Sequence, residues 1–406
     1  MNTFLVVFGA FMITFIGVGI GHAFGLYLVP MTEYLNIGRE TFGLAFALQV
    51  LIGGLGASVF GALSDKYGSG IAAFTGTIFF LIGLVWFANV QSSFDIIASQ
   101  IIFGVGVAGT GVSVVLGAVG RSAREENRTL LLGIVMAGGS LGQFIVLPLA
   151  TLLLEWYQWS TSLIYLSIIA SSMLLFALAL NYSGKSKSSI EGTNQSLREA
   201  LTEAFQTKSF LLLTAGFFVC GFHVTFVAVH LPAYITDQNL PSWVGGWALA
   251  LIGLFNIVGT LLFGYLGDQG SKKNLLALLY SLRGIVFLLF IMLPKTELTV
   301  LLFASILGVL WLSTVPLTSG IITVVFGPYY MSMLFGIVFF SHQIGSFLGS
   351  WLGGKFFDTY GSYDIMWWSC VILGFASALI HLPIKEIAVP RLSNKKAVIN
   401  LSLIHI

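Results

Sequence analysis

Gly61-Ala62-Leu63-Ser64-Asp65-Lys66-Tyr67-Gly68 closes one long apolar stretch, and Gly264-Tyr265-Leu266-Gly267-Asp268-Gln269-Gly270 closes another. In each, an aspartate follows the first glycine by four positions. The two glycines are 203 positions apart, and so are the two aspartates. The same offset joins Gly133-Ile134-Val135 to Gly336-Ile337-Val338, and Gly142 and Phe144 to Gly345 and Phe347. One such pair can arise by chance, but several in register read as a duplicated unit.

The apolar stretches around these segments say what is duplicated. A helix needs about 20 apolar residues to cross the hydrocarbon core of a bilayer. Twelve stretches qualify: 4–29, 42–64, 70–89, 94–119, 129–154, 160–181, 209–235, 243–267, 274–293, 298–326, 332–355 and 363–384. Their apolar residues are continuous rather than alternating, which argues against a β-barrel. The first stretch lacks a basic leading region and is too long for a cleaved signal peptide. Composition agrees. The chain of 406 residues is 57% hydrophobic and 8% charged, against roughly 25% charged in soluble domains. A water-facing surface cannot be covered with so few charges. A soluble globule, a disordered chain and a nucleic-acid binder are excluded, the last also because the net charge is only +2. The expected class is an all-α membrane protein with twelve spans in two pseudo-symmetric bundles of six.

Lysine and arginine placement sets the expected orientation. With the N-terminus cytoplasmic, the inner loops and tail hold Lys66, Arg121, Arg124, Arg128, Lys185, Lys187, Arg198, Lys208, Lys272, Lys273, Lys385, Arg391, Lys395 and Lys396, which is 14 of 18. Arg39, Lys295 and Lys355 fall outside or near it, and Arg283 falls inside a span. The polar segment 182–208 reads as a cytoplasmic linker, with a short surface helix near 197–205. It separates bundles at 1–181 and 209–390. Within the tail 391–406, Leu401-Ser402-Leu403-Ile404-His405-Ile406 matches a forward translation of a transposon end used in sequencing libraries and is expected to be foreign. Cys220 and Cys370 lie in different spans with no CxxC pattern and read as small buried hydrophobes.

Two parallel six-helix repeats with a site between them near the midplane describe the major facilitator architecture. The Gly61–Gly68 segment resembles that superfamily's signature between helices two and three. Its glycine would let two helices approach closely, and its aspartate would cap a helix N-terminus or pair with basic residues. The basic residue that the pattern places just beyond is replaced here by Ser69-Gly70. The second copy keeps Lys272 and Lys273 but is one residue shorter. Arg128-x-Leu130-x-x-Gly133-x-x-x-Ala137-Gly138 is similar to a fifth-helix motif of monocarboxylate transporters. Gly38-Arg39-Glu40-Thr41-Phe42-Gly43-Leu44-Ala45-Phe46 resembles the start of helix two in bacterial relatives of that family and of the oxalate–formate antiporters. The resemblance spans residues 4 to about 390. It implies a multi-pass protein of a bacterial-type inner membrane with both termini cytoplasmic, acting as a monomer. The acid-Gly-x-aromatic run of the animal proteins' first helix is absent. Their helix-eight arginine and its neighbouring aspartate would fall near Thr260 and Asn256.

None of the 16 acids lies deep in a span. Exporters of cations usually need a buried carboxylate, so the absence points toward anionic cargo. The fifth helix also reads Gly138-Gly139-Ser140-Leu141-Gly142, without the Gly-Pro pair typical of drug–proton antiporters. Arg283 falls about 14 Å into its span at 1.5 Å per residue. Two readings stay open for it: a clamp on a substrate carboxylate, or a buttress within a peripheral support helix. His342 lies about 15 Å into the eleventh span by the same rise. With His223 and His22 it is a candidate to line a central cavity and carry a coupling proton; His230 falls nearer the outer face. Gln49, Gln143 and Asn256 are further polar candidates for the cavity, with interhelical hydrogen bonding as the bland alternative. Gly61, Asp65, Lys66, Gly68, Arg121, Arg128, Gly264, Asp268 and Lys272 are the candidate cytoplasmic gate. Gly104-x-Gly106-x-x-Gly109 fits a dinucleotide fingerprint only by letters, since no strand precedes it. Gly345-x-x-x-Gly349-x-x-x-Gly353 reads as a small-residue ridge for close packing on which rocking helices can slide. Pro148, Pro232 and Pro316 are expected to interrupt helix hydrogen bonding.

The leading expectation is therefore a secondary transporter of a small organic anion, a monocarboxylate, coupled to protons and needing no cofactor or metal. An exporter of amphiphilic compounds is the alternative within transport. A non-transporting sensor would need an output domain larger than the linker. A membrane enzyme lacks a catalytic cluster in the loops, and an ATP-driven pump lacks a P-loop.

Overall fold

The computed structural model describes residues 3–123, 128–183, 195–327 and 330–392, and these are helices joined by short turns. Twelve spans are long and apolar enough to cross a membrane. The first is α1 (Thr3–Ala23), a 3-10 turn (Phe24–Tyr27) and α2 (Leu28–Leu35). The second and third are α3 (Arg39–Tyr67) and α4 (Ser69–Ala88). The fourth is split into α5 (Ser93–Thr110) and α6 (Val112–Ser122). The fifth is α7 (Arg128–Trp156), and the sixth is α8 (Trp159–Ser171) with α9 (Met173–Ala179). The linker carries α10 (Leu197–Gln206). The seventh to ninth are α11 (Lys208–Asp237), α12 (Ser242–Gln269) and α13 (Lys272–Met292). The tenth is split into α14 (Glu297–Leu310) and α15 (Thr314–Phe326), and α16 (Met331–Tyr360) and α17 (Asp364–His381) complete the set.

Helices are forced by the solvent, because hydrocarbon cannot satisfy an open backbone N–H or C=O. The outward faces carry Val59, Ile168, Leu175, Leu261, Ile372 and Leu379, all more than half exposed. Apolar side chains in such positions are stable only against lipid. The expected surface helix is α10. Ser196 and Glu199 form a reciprocal capping box at its start. The hydrogen bond from the Ser196 backbone holds the Glu199 carboxyl below its ordinary range.

The signature segment between the second and third spans is almost all helix. α3 runs to Tyr67, and the chain turns at Gly68 alone, whose φ of 106° suits glycine. Pro148 and Pro232 lie inside α7 and α11. Pro316 instead sits in the first turn of α15, where its missing N–H leaves no bond unmade.

The packing repeats as the sequence does. α1 lies along α7 as α11 lies along α16, and α3 meets α5 as α12 meets α14. The halves meet along two seams, α3 against α16 and α7 against α12. Both spans broken in the middle, the fourth and the tenth, break near the same repeat position, at Gly111 and at Trp311–Ser313. Gly104, Gly106 and Gly109 bring α5 against the backbones of Gln49, Phe80 and Gly76, so the fingerprint letters are a packing surface. The ridge of Gly345, Gly349 and Gly353 packs on α11, within one half rather than between halves.

Candidate functional site

The seam between halves is tightly joined at one end, where α2 ends, α3 begins and α11 ends. We call this the closed end, and the opposite end, which carries α10, the linker end. Gly38 precedes α3 and offers no side chain to cap it. Asp358, at the end of α16 in the other half, supplies the cap. Its carboxylate accepts from the backbone N–H of Arg39 at 2.9 Å and of Glu40 at 2.7 Å, a favourable place for negative charge at a helix N-terminus. The Arg39 guanidinium crosses to Asp237 at the end of α11 with two bonds, at 2.5 and 2.7 Å. It also donates to the Tyr363 hydroxyl at 3.1 Å and lies 3.7 Å over the Phe357 ring. Trp351 donates its indole N–H to Glu40 at 2.9 Å. Gly354 lies so close to Arg39 that a Cβ there would overlap backbone atoms.

Below this latch the contacts become neutral. Ser350 donates to the Gly43 carbonyl at 2.8 Å, and Gln343 donates to the Val50 carbonyl at 3.0 Å. On the second seam Gln143 donates to the Leu249 carbonyl at 2.9 Å, and Asn256 donates to the Ser140 hydroxyl at 3.0 Å. Asn256 lies about 21 Å from the start of α12 at 1.5 Å per residue. Beyond this level, among the described residues, α3, α7, α12 and α16 make no hydrogen bond between the halves.

The expected gate residues sit at the linker end. A Cβ built on Gly61 or Gly264 meets nothing nearer than 3.9 Å. Lys66 is exposed beside the Tyr67 ring, and Asp268 is exposed. Arg121 donates to Ser64 and Ser69 in its own half. Lys272 packs along Gly320 in its own half. The side chains of Asp65 and Arg128 lie outside the described residues, as does Arg124.

The expected cavity residues are only partly brought together. Gln143 and Asn256 both bond across the α7–α12 seam. His342 bonds through Nδ1 to Gln343 Oε1 at 3.0 Å, which places it beside the other seam, and its Nε2 has no partner among the described residues. Gln49 is buried with Oε1 unpartnered among the described residues. His22 turns back to the Val18 carbonyl at 2.9 Å. His223 faces away from the seam, edge-on to Phe287 of α13 at 4.9 Å. Arg283 has no solvent contact, and its guanidinium is turned to main-chain carbonyls of its own half. Nε and Nη2 donate to the Leu310 carbonyl at 3.0 and 2.6 Å, and Nη2 also donates to the Trp311 carbonyl. These are carbonyls freed by the break in the tenth span. Asn256 Oδ1 accepts from Leu312 N at 3.0 Å, so the break is held on both sides.

Sequence reasoning missed Arg39, Asp237, Asp358 and Tyr363 as a set. The available signal was a basic residue outside the cytoplasmic majority, together with acids at helix ends.

A protein-family model described as Major Facilitator Superfamily matches residues 3–350 and 245–403. The chain belongs to the major facilitator superfamily. It is a transporter of small molecules in a membrane and not an enzyme. This facilitator is 24% identical over 392 residues to the uncharacterized MFS-type transporter YcxA of Bacillus subtilis (strain 168), covering 93% of this chain and 92% of the relative. It is 23% identical to monocarboxylate transporter 13 of Bos taurus, covering 93% of this chain and 89% of that one. It is 25% identical to monocarboxylate transporter 12-B of Danio rerio, over 66% of this chain and 62% of that one. The fold is that of a mutant of the nucleoside transporter NupG, with a TM-score of 0.76 at 12% identity over 93% of this chain and 99% of that one. A D-xylose-proton symporter superposes with a TM-score of 0.71 at 14% identity, covering 95% of this chain and 99% of that one.

Proposed function

We propose that this facilitator moves a small organic anion of the monocarboxylate class by alternating access, and that the structure is its inward-facing state. The one-sided seam carries the reading: a latch shuts the closed end, while the gate segments at the linker end stand apart. The basic residues collect at the linker end, which supports placing that end in the cytoplasm. The closed end then faces outward.

The substrate class is supported by two features. The spans lack a deep carboxylate that would hold a cation, and relatives named monocarboxylate transporters align with most of this chain or two thirds of it. In this reading the carboxylate meets neutral donors at the floor of the parted seam: Ser140, Gln143, Asn256 and His342. Arg283 stands behind them and fixes the break in the tenth span. Asp65, Lys66, Arg121, Arg128 and Asp268 form the latch of the opposite state.

A thermal-shift screen of the purified protein tests the class. A ligand at a hundred times its Kd stabilises a native state by about 2.7 kcal/mol. Small monocarboxylates are expected to raise the melting temperature, and uncharged analogues of equal size are not. Stabilisation by apolar amphiphiles with no competition from carboxylates would overturn the reading in favour of export of such compounds.

A further inference from the structure

His230 lies on α11 beneath the latch and has no solvent contact. Both ring nitrogens are engaged. Nε2 is 2.7 Å from the carbonyl oxygen of Ser350, which can only accept, so Nε2 carries a hydrogen. In the neutral ring Nδ1 is then an acceptor. It lies 3.1 Å from the Tyr363 hydroxyl, which must donate to it. The same hydroxyl oxygen accepts from Arg39. Direction is thus forced along the chain, from Arg39 to Tyr363 to His230 to Ser350. Ser350 in turn donates to Gly43 across the seam. One imidazole joins the charged latch to the neutral contacts below it.

We propose that His230 is a proton-binding site that governs the closed end: the latch closes on the neutral imidazole and loosens when Nδ1 takes a proton. A proton on Nδ1 turns the acceptor into a donor. The Tyr363 oxygen then faces donors on two sides, and its own hydrogen loses its acceptor. The new positive charge also stands on the same side as Arg39. The titratable and charged groups on the ends of the elements packed there are Tyr234 and Asp237 on α11, Arg39 and Glu40 on α3, Lys355 and Asp358 on α16, Tyr363 just before α17 and Asp364 at its start. Asp237 is held by Arg39, Asp358 by two backbone N–H groups and Glu40 by Trp351. None of the carboxylates hydrogen-bonds the imidazole. Burial pushes the Tyr363 phenol above its ordinary range, so it stays a hydroxyl throughout.

The inference rests on the alternating-access reading, and one experiment separates the two. Nitroxide labels on Glu33→Cys and Tyr360→Cys, both exposed at the closed end and in opposite halves, report separation in reconstituted full-length protein. Between about pH 7.5 and 5.5 the separated population is expected to grow, by at most tenfold per pH unit for a single proton. In His230→Gln the distribution is expected to be flat with pH. Tyr363→Phe, which cuts the bridge to Arg39, is expected to shrink the response severalfold and serves if the glutamine variant fails to fold. Arg39→Ala is the control. If it leaves the distance unchanged, the latch is no gate and the alternating-access reading fails. If it separates the labels while the parent distribution ignores pH, the proton site alone is overturned. A pH response that survives in His230→Gln, or in full in Tyr363→Phe, also overturns it.

Discussion

The two ends of the same seam are built differently. At the closed end, residues from four separate parts of the chain converge: Arg39 and Glu40, Asp237, Asp358, and Tyr363. At the linker end, each half carries a copy of one compact motif, and the space beside Gly61 and Gly264 is open. The repeat explains only the second arrangement. Shifted by 203 positions, Arg39 becomes Ser242, Asp237 becomes Tyr34, Asp358 becomes Glu155 and Tyr363 becomes Ser160. The α7–α12 seam therefore keeps one acid, Glu155, but lacks the arginine and the second acid that tie the α3–α16 seam. The two seams are equivalent by the repeat, but only one carries the charged latch.

The sharpest way to break this contrast is Arg39→Ala. It removes the two bonds to Asp237, the bond to Tyr363 and the contact with Phe357. Arg39 and Asp237 are 13% and 27% exposed at their side chains, so the loss lies between that of a surface pair and a buried one, about 3 kcal/mol with the cation–π contact included. That corresponds to a more than hundredfold rise in the ratio of separated to closed states. Spin-label distances across the closed end measure it. A change under threefold would mean that the latch is incidental.

Paired glycine substitutions sharpen the contrast next. In Gly354→Val the new side chain meets the Arg39 and Glu40 backbone, which has no rotamer to yield. A cost of about 2 kcal/mol against the closed state is expected. In Gly264→Val nothing stands in the way here, so the closed-end distance and the melting temperature are expected to hold. Transport is expected to fall, because the linker end must close in the other state. Equal effects of both variants on the closed-end distance would erase the asymmetry.

Much of the fold was legible because lipid imposes simple rules. Continuous apolar runs gave the twelve spans, and a constant offset gave the two halves. Pairing across space was less legible. Arg283 was readable as a costly intramembrane charge, but its partners are main-chain carbonyls freed at Leu310 and Trp311, and no side-chain pattern marks a helix break there. The histidines were read by depth alone. Depth does not give azimuth, and His223 and His22 turned out to face α13 and their own helix. The latch was hardest, since Arg39 lies 198 positions from Asp237 and 319 from Asp358.

Asp358→Asn tests how much of the latch is helix capping. The amide can still accept one backbone N–H, but it loses the charge that suits the α3 N-terminus. The site is exposed, so a cost of about 1 kcal/mol is expected. The closed-end distribution should shift roughly fivefold, less at high salt.

Trp351→Phe should have the smallest effect. The ring packing against Phe347 persists, the indole bond to Glu40 is lost, and the contact of the Lys355 ammonium with the ring weakens. Glu40 remains in the first turn of α3, where its charge is favourable without a partner, and it is partly exposed, so water can replace the indole. The expected cost is about 0.5 kcal/mol, or roughly a twofold shift in the same distance measurement. A larger loss here than in Asp358→Asn would move the weight of the latch from its charged groups to the Trp351 ring.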